Sequence, residues 1–124
     1  MKFIIFSTEP SKPRIYEISP LTVVKESQQT TLKCNALAYP PADIVWFKDG
    51  KTLPICNARK RRCKNTMYEF NYDKKSNWTM STLTIRNIKY HNSGTYLCRT
   101  KNSHGQNFST TKVFVKCKYF PVIE

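Results

Sequence analysis

Two cysteines that enclose a run of cations are the residues whose types and spacing most directly suggest chemistry. In PICNARKRRCKN, residues 54–65, Cys56 and Cys63 lie seven positions apart with four basic residues between them. Those four are Arg59, Lys60, Arg61 and Arg62. Such a segment could ligate a metal ion, bind nucleic acid, close as a disulfide-stapled loop that binds an acidic polymer, or form an ordinary solvated turn.

Metal and nucleic acid are the less favoured ligands of this segment. A C-x6-C pair could use His91 or His104, but zinc sites usually contain closer C-x2-4-C pairs, and the neighbouring cations would repel Zn²⁺. Nucleic acid would suit the formal charge of +13. However, five cysteines and two N-x-S/T sequons, at Asn77 and Asn107, suggest an oxidising secretory route and N-glycosylation. We therefore expect neither a metal ion nor a nucleic acid.

A local disulfide between Cys56 and Cys63 is the simplest covalent arrangement of the segment. Its eight-residue ring would hold the cations on a rigid backbone, which reduces the entropy lost on binding. Guanidinium groups make paired contacts with sulfate and carboxylate, so heparan sulfate is a suitable ligand. The predicted glycosaminoglycan-binding residues are Arg59, Lys60, Arg61, Arg62, Lys64, Lys74 and Lys75. In the alternative interpretation, the charges only prevent pairing between exposed sheet edges.

The composition indicates one globular domain with a surface that attracts polyanions. The 124 residues are 40% hydrophobic and 13% aromatic, which is sufficient for a core, and 21 Lys and Arg outnumber eight Asp and Glu. A field of this sign attracts nucleic acid, anionic membranes or sulfated polysaccharides. No apolar run approaches the roughly 20 residues that span a bilayer. Residues 1–11 begin MKFIIF and lack the long apolar stretch of a signal peptide, so we expect an N-terminal extension or a truncated leader.

Short alternating runs separated by turn residues predict the elements that position these side chains. Aromatic or aliphatic residues alternate with polar ones in 68–73, 82–86, 95–99 and 112–116, and 44–47 continues the set. Turn signals lie at 39–41, 49–50, 93–94 and 103–105. Short strands with turns at intervals of about ten residues are typical of an antiparallel sandwich or barrel.

One set of core residues has the order and spacing of a known family. Trp46 lies twelve residues after Cys34, and Tyr96 lies two residues before Cys98. The stretches LKCNALAYPPADIVWFKDGKTL and NSGTYLCRTKNSHG add a proline-rich turn, W-F-K-D-G, and patterns close to D-x-G-x-Y-x-C and A-x-N-x-x-G. The chain resembles an immunoglobulin-like domain of the intermediate (I-set) type. We assign this domain to residues 12–117 and a tail or linker to 118–124.

The resemblance implies an all-β sandwich of two antiparallel sheets, joined by a disulfide between Cys34 and Cys98. Trp46 would cover this disulfide in the core, and the Tyr96 hydroxyl would bond to the backbone as a tyrosine corner. Two positions in or beside the family motifs affect their charge. Asn92 stands where Asp is usual, which removes a salt bridge but leaves a hydrogen bond. Arg99, directly before the small-residue position that Thr100 occupies, adds an outward positive charge.

The alternation of the strands predicts a patch on the outer face of one sheet. If Trp46 and Cys98 point inward, their neighbours in sequence point outward, and the last strand exposes every second residue. The predicted partner patch consists of Phe47, Leu97, Arg99, Lys101 and Phe114. Aromatic and arginine residues are enriched in interface hot spots, which favours a protein partner, although scattered outward hydrophobic residues are also normal.

Cys117 is left over if both proposed disulfides form. It could pair with a cysteine of a following domain, join another subunit or stay free. Pairing with Cys56 or Cys63 remains open. We expect the chain to be part of a larger ectodomain.

The sequence contains no catalytic motif: there is no nucleophile elbow, no phosphate loop and no His–carboxylate pair at a suggestive spacing. We expect no enzyme activity and no cofactor. The resemblance implies a recognition module with a protein partner. The cysteines and sequons favour an extracellular location, and the basic segment favours heparan sulfate as a second ligand, with no membrane insertion of this segment. Within this class the basic stretch after W-F-K-D-G-K resembles the Ig region of neuregulin-type growth factors, and fibroblast growth factor receptor ectodomains also combine an I-set fold with heparin binding. An intracellular, titin-like structural module is the competing interpretation.

Overall fold

Nine β-strands and one short 3₁₀ helix form the part of the protein that the computed structural model describes, residues 9–53 and 67–117. The strands are β1 (Ser11–Ile18), β2 (Thr22–Lys25), β3 (Thr30–Tyr39), β4 (Asp43–Lys48), β5 (Lys51–Thr52), β6 (Tyr68–Lys74), β7 (Trp78–Ile85), β8 (Gly94–Asn102) and β9 (Gly105–Lys116). The 3₁₀ helix spans Tyr90–Asn92. The predicted runs therefore form strands, and the predicted turn residues separate them.

The strands are arranged in two sheets, which confirms the predicted sandwich. One sheet has the order β1-β3-β7-β6 and the other has the order β2-β9-β8-β4-β5. All the described strand pairs are antiparallel except β2 and β9, which run parallel at one edge of the second sheet. The reason is that the chain leaves the first sheet after β1 and continues in the same direction along the edge of the second. Pro20 lies at this crossing, where a residue without an N–H costs no ladder hydrogen bond.

The core between the sheets is centred on the disulfide and Trp46. Cys34 of β3 is bonded to Cys98 of β8, with their Cα atoms 6.5 Å apart. Trp46 of β4 is the cross-strand neighbour of Cys98 and is 1% exposed. Its Nε1 donates a 2.8 Å hydrogen bond to Ser81 Oγ in the opposite sheet. Because this bond satisfies the only donor of the indole, the ring is buried without an unpaired polar group.

Tyr96 forms the corner that the resemblance implied. Its hydroxyl donates a 2.6 Å hydrogen bond to the carbonyl of Asn92. The Asn92 side chain accepts a bond from the Lys89 N–H at 2.7 Å and donates one to the Tyr68 hydroxyl at 3.1 Å. Burial is the main cause that raises the pKa of Tyr96 well above its usual value, so its hydroxyl remains a donor. The expected hydrogen bond at Asn92 is thus present, in both directions.

Asp49 and Gly94 hold the turn between β4 and β5 against the start of β8. The Asp49 carboxylate accepts hydrogen bonds from the Thr95 N–H at 3.0 Å and from Lys48 Nζ at 2.9 Å. These bonds, the one from Thr95 most, lower the pKa of Asp49. A Cβ at Gly94 would lie 2.6 Å from Asp49 Oδ2. This position therefore requires glycine, since any side chain would displace the carboxylate that holds the turn.

Candidate binding surface

The outward face of the five-stranded sheet carries a cluster of aromatic and cationic side chains. Strand β8 lies between β9 and β4, so its outward residues have cross-strand neighbours on both sides. Leu97 is opposite Phe47. Arg99 lies between Val45 on β4 and Phe108 on β9. We call Phe47, Leu97, Arg99 and Phe108 the aromatic–arginine patch.

Arg99 is held in place by its stack on Phe47. Its guanidinium carbon lies 5.2 Å from the centroid of the Phe47 ring, within the range of a cation–π interaction. Its Nε is buried and has no hydrogen-bond partner in the described part of the chain. No carboxylate within residues 9–53 and 67–117 forms a salt bridge with it. A guanidinium that is already ordered and unpaired can bind a carboxylate of a partner with little further loss of entropy.

A cleft opens beside this patch, at the end of the sheet where β4 begins. Its volume is about 610 Å³. The lining residues are Pro40, Pro41, Asp43, Val45, Arg99, Lys101, Asn102 and Ser103. Asn102 Nδ2 donates hydrogen bonds to the carbonyls of Ser11, at 2.7 Å, and Pro40, at 2.9 Å. These bonds connect the end of β8 to β1 and to the turn after β3 at the wall of the cleft.

The charge inside the cleft is positive. Asp43 is the one carboxylate among the lining residues, and Lys74 Nζ binds it at 2.7 Å. Arg99 and Lys101 form no salt bridge with any carboxylate that the structure describes. An anionic group of a ligand would therefore meet two cations that form no salt bridge in the described chain, although Asp43 is the cross-strand neighbour of Lys101.

Phe108 lies in the patch, and the predicted Phe114 does not. Phe114 was predicted in the patch, but it lies four residues along β9 from Thr110, which is the neighbour of Leu97. This separation is roughly 13 Å. Phe114 instead lies beside Val23 of β2. Phe108, which is opposite Arg99 and 51% exposed, takes its place. Counting back from Phe114 by twos would have found Phe108, because all residues at that spacing share a face.

Most of the predicted glycosaminoglycan site lies outside the described residues. This applies to Cys56 and Cys63 and to the cations Arg59, Lys60, Arg61, Arg62 and Lys64. Lys74 is described and is paired with Asp43, while Lys75 is exposed in the turn after β6. Met67, the first described residue after segment 54–66, lies just before β6, and both lysines lie at the other end of this strand. For a strand of this length the two ends are about 20 Å apart.

The two sequon asparagines occupy different surroundings. Asn77 lies in the turn between β6 and β7, and its backbone carbonyl accepts a hydrogen bond from the Ala38 N–H at 3.0 Å. The Asn107 side chain is engaged on both sides: Nδ2 donates to the Pro13 carbonyl at 3.3 Å, and Oδ1 accepts from the Phe108 N–H at 3.0 Å. Glycosylation stays a prediction at both positions, and the turn at Asn77 is the less constrained of the two.

Three further features concern the remaining predictions. Cys117 is exposed and is bonded to neither of the other cysteines that the structure describes. Within residues 9–53 and 67–117, no group of three or more His, Cys, Asp or Glu side chains is arranged to hold a metal ion. The same residues contain no helix that is long and apolar enough to cross a membrane.

Comparison with known proteins identifies similar sequences in receptors and adhesion molecules. A family model described as "Immunoglobulin domain" matches residues 12–102. Mouse fibroblast growth factor receptor-like 1 is 34% identical over 108 residues, which cover 87% of this chain and 17% of that protein. Human neural cell adhesion molecule 1 is 26% identical over 116 residues, covering 92% of this chain and 13% of that protein. The chain thus spans less than a fifth of either relative.

A solved structure shows the same fold in a complex that contains titin M10. A chain in the crystal structure of the complex between titin M10 and an obscurin-like 1 Ig mutant superposes with a TM-score of 0.73. It is 24% identical, and the match covers 90% of this chain and all of that one. At this level of identity the likeness establishes the fold alone.

Proposed function

This chain is a member of the immunoglobulin domain family, and from that premise we propose that it is an extracellular protein-recognition module in cell-surface signalling or adhesion. Its contact surface is the aromatic–arginine patch together with the adjacent cleft. The partner presents a carboxylate beside apolar side chains. This is the reading that the receptor-like and adhesion relatives support.

The observation that carries the proposal is the environment of the Arg99 side chain, which contacts an aromatic ring and forms no salt bridge with a described carboxylate. Its guanidinium is stacked on Phe47, carries an unpartnered buried Nε, and stands beside Phe108, which is half exposed. An aromatic and arginine cluster of this kind has the composition of an interface hot spot. Since no described carboxylate forms a salt bridge with Arg99, its charge is available to an anionic group of the partner.

The extracellular location is supported by covalent chemistry. Cys34 and Cys98 form a disulfide. Structural disulfides persist in oxidising compartments and are rare in the cytosol. In such surroundings the basic segment 54–66 is suited to hold the module on heparan sulfate, since its sequence places four cations in a row. N-glycans at Asn77 or Asn107 belong to the same proposal.

A charge reversal at Arg99 tests the contact surface. The secreted chain and its Arg99→Glu variant are compared for binding to intact cells by flow cytometry, after heparinase has removed the contribution of glycans. We expect the variant to lose at least tenfold in affinity because a carboxylate at this position repels the partner's. Lys33→Glu, an equal change of charge on the exposed outer face of the other sheet, is the control. Equal binding by Arg99→Glu and the unchanged chain contradicts the proposal.

A titin-like structural module is the second candidate, because its fold is shared with a titin-containing complex. Such a module works in a reducing compartment, where Cys34 and Cys98 are thiols and the sequons carry no glycan. Intact-mass measurement of the protein from its native source separates the two candidates. A mass that lacks two hydrogens per disulfide and includes a glycan supports the extracellular module, whereas free thiols at both positions support the structural one.

A further inference from the structure

The edge formed by β2 and β9 carries a second set of cations, separate from the aromatic–arginine patch. Lys112, Phe114 and Lys116 point outward from β9, and Val23 and Lys25 point outward from β2 beside them. All five side chains are exposed, Phe114 by 49% and Val23 by 52%. We call these five residues the β2–β9 patch.

Two lysines of this patch are direct cross-strand neighbours. Lys25 is opposite Lys116, and like charges in this relation destabilise a sheet. No carboxylate in the described part of the chain forms a salt bridge with either lysine. Another lysine pair in register, Lys48 and Lys51, is relieved by Asp49, whose carboxylate binds Lys48 at 2.9 Å. The repulsion at Lys25 and Lys116 is therefore left for a ligand to neutralise.

A concavity lies between these two lysines. Its volume is about 400 Å³. It is lined by Val23, Val24, Lys25, Gln28 and Lys116. The carboxylate next in sequence, that of Glu26, has Oε2 3.4 Å from the Tyr90 N–H and accepts a hydrogen bond from it. The lining thus has two cations, one neutral amide and aliphatic walls, which suits an anionic group carried on a larger molecule.

Phe114 adds an exposed aromatic ring to the cations of the site. Its exposed ring lies between Lys112 and Lys116 on the same face of β9, about 7 Å from each along the strand. A sugar ring presents an axial C–H face that packs on an aromatic ring, while sulfates on its rim extend to either side. Alternating cations and an aromatic ring therefore fit a sulfated sugar chain better than a free sulfate ion.

Other polyanions fit this patch less well. Nucleic acid is not expected where the disulfide between Cys34 and Cys98 is stable. An anionic lipid surface would be attracted by the lysines and by Val23 and Phe114. A bilayer holds its headgroups in one plane, however, whereas a polysaccharide can place one sulfate in the concavity beside Lys25 and others beside Lys112 and Lys116.

We propose that the β2–β9 patch is a binding site for a sulfated polysaccharide. The site depends on the extracellular location given above, but it is independent of segment 54–66 and of Arg99. The cations Lys25, Lys112 and Lys116 bind sulfate groups, and Phe114 packs on a sugar ring between them.

The test measures the affinity of the full chain for immobilised heparin as a function of salt concentration. In the variant Lys25→Gln/Lys112→Gln/Lys116→Gln, the slope of log affinity against log salt is expected to fall by about 2 to 3, by the counterion-release argument for polyanions. The affinity at physiological salt is expected to fall at least tenfold. The control Lys12→Gln/Arg14→Gln/Lys33→Gln removes the same charge from exposed positions on β1 and β3. An equal loss in the control would mean that only net charge matters and would overturn the site.

Phe114→Ala provides a second, uncharged variant. We expect it to weaken heparin binding severalfold while the salt slope is unchanged, because the ring contributes packing and no charge. An unchanged affinity overturns the sugar contact. Binding to phosphatidylserine vesicles is measured in parallel: loss of vesicle binding in the lysine variant with heparin binding intact would assign the patch to lipid and overturn the proposal. Cell binding of Arg99→Glu is scored separately, so failure of one proposal does not imply failure of the other.

Discussion

Single hydrogen bonds decide how the most buried polar groups of this protein are accommodated. Asn92 is 1% exposed, yet both ends of its amide have partners, the Lys89 N–H and the Tyr68 hydroxyl. The sequence indicated only that this position departs from the family's Asp. It gave no sign of the Tyr68 contact, because the two residues are 24 positions apart and meet only when β6 joins the sheet. Without that contact, the buried amide N–H of Asn92 would lack the hydrogen-bond acceptor that Tyr68 provides.

Removing the hydroxyl of Tyr96 tests how much a single buried hydrogen bond contributes to stability. Tyr96→Phe keeps the ring in the core but leaves the buried carbonyl of Asn92 without its 2.6 Å donor. We expect the free energy of unfolding to fall by about 1 to 3 kcal/mol, the cost of an unsatisfied buried acceptor. Denaturant unfolding measures it. Tyr16→Phe, at a position that is 52% exposed, is the control and should change little. Equal stability of Tyr96→Phe and the unchanged protein would contradict the role given to this corner.

At the scale of strands, alternation predicts which face a residue occupies but not which residues it meets. The resemblance implied the inward positions of Trp46 and Cys98, and the outward positions of Phe47 and Leu97 followed from them by period-two counting. The prediction that placed Phe114 beside Phe47 and Leu97 was wrong for a different reason. Neighbours across β8 and β9 depend on the register, which the two-residue turn between Asn102 and Gly105 sets. A sequence without the turn geometry leaves that register undetermined.

The parallel strand pair provides a test at this scale. Lys25→Thr replaces one of two opposed cations with a β-branched residue that suits a strand. We expect stability to rise by roughly 0.2 to 1 kcal/mol at low ionic strength. The gain should shrink in 1 M salt, where charges are screened within about 3 Å. Thermal unfolding at two salt concentrations measures both effects. The matched change Lys33→Thr, on β3 of the other sheet, relieves no lysine pair. A stabilisation of equal size in Lys33→Thr would show that strand propensity alone is responsible.

At the scale of the whole molecule, the fold gathers cations from distant parts of the sequence on one face. The outward face of the five-stranded sheet carries Lys25, Arg99, Lys101, Lys112 and Lys116. Asp43 is the carboxylate of β4 on this face and is paired with Lys74. The formal charge of +13 predicted attraction to polyanions. It did not indicate where, because the positions are brought together by strands from distant parts of the chain.

The disulfide between Cys34 and Cys98 connects the two sheets and has the largest expected effect on global stability. The cysteines are 64 residues apart, and a loop of that length corresponds to about 4 kcal/mol in the chain-entropy model. This is a large fraction of the 5 to 15 kcal/mol that typically separates folded from unfolded domains. We therefore expect the Cys34→Ala/Cys98→Ala variant to unfold at a much lower denaturant concentration, and addition of reductant to have a similar effect on the unchanged protein.

Cys117→Ser is the control for this experiment, because Cys117 is exposed and is not bonded to Cys34 or Cys98. Its unfolding midpoint should match that of the unchanged protein before reduction and fall as far after it. If reductant leaves the midpoint of the unchanged protein where it was, the fold does not depend on the covalent link. A module adapted to a reducing compartment would then explain the chain better than an extracellular one, since the strongest structural argument for the oxidising location would have been removed.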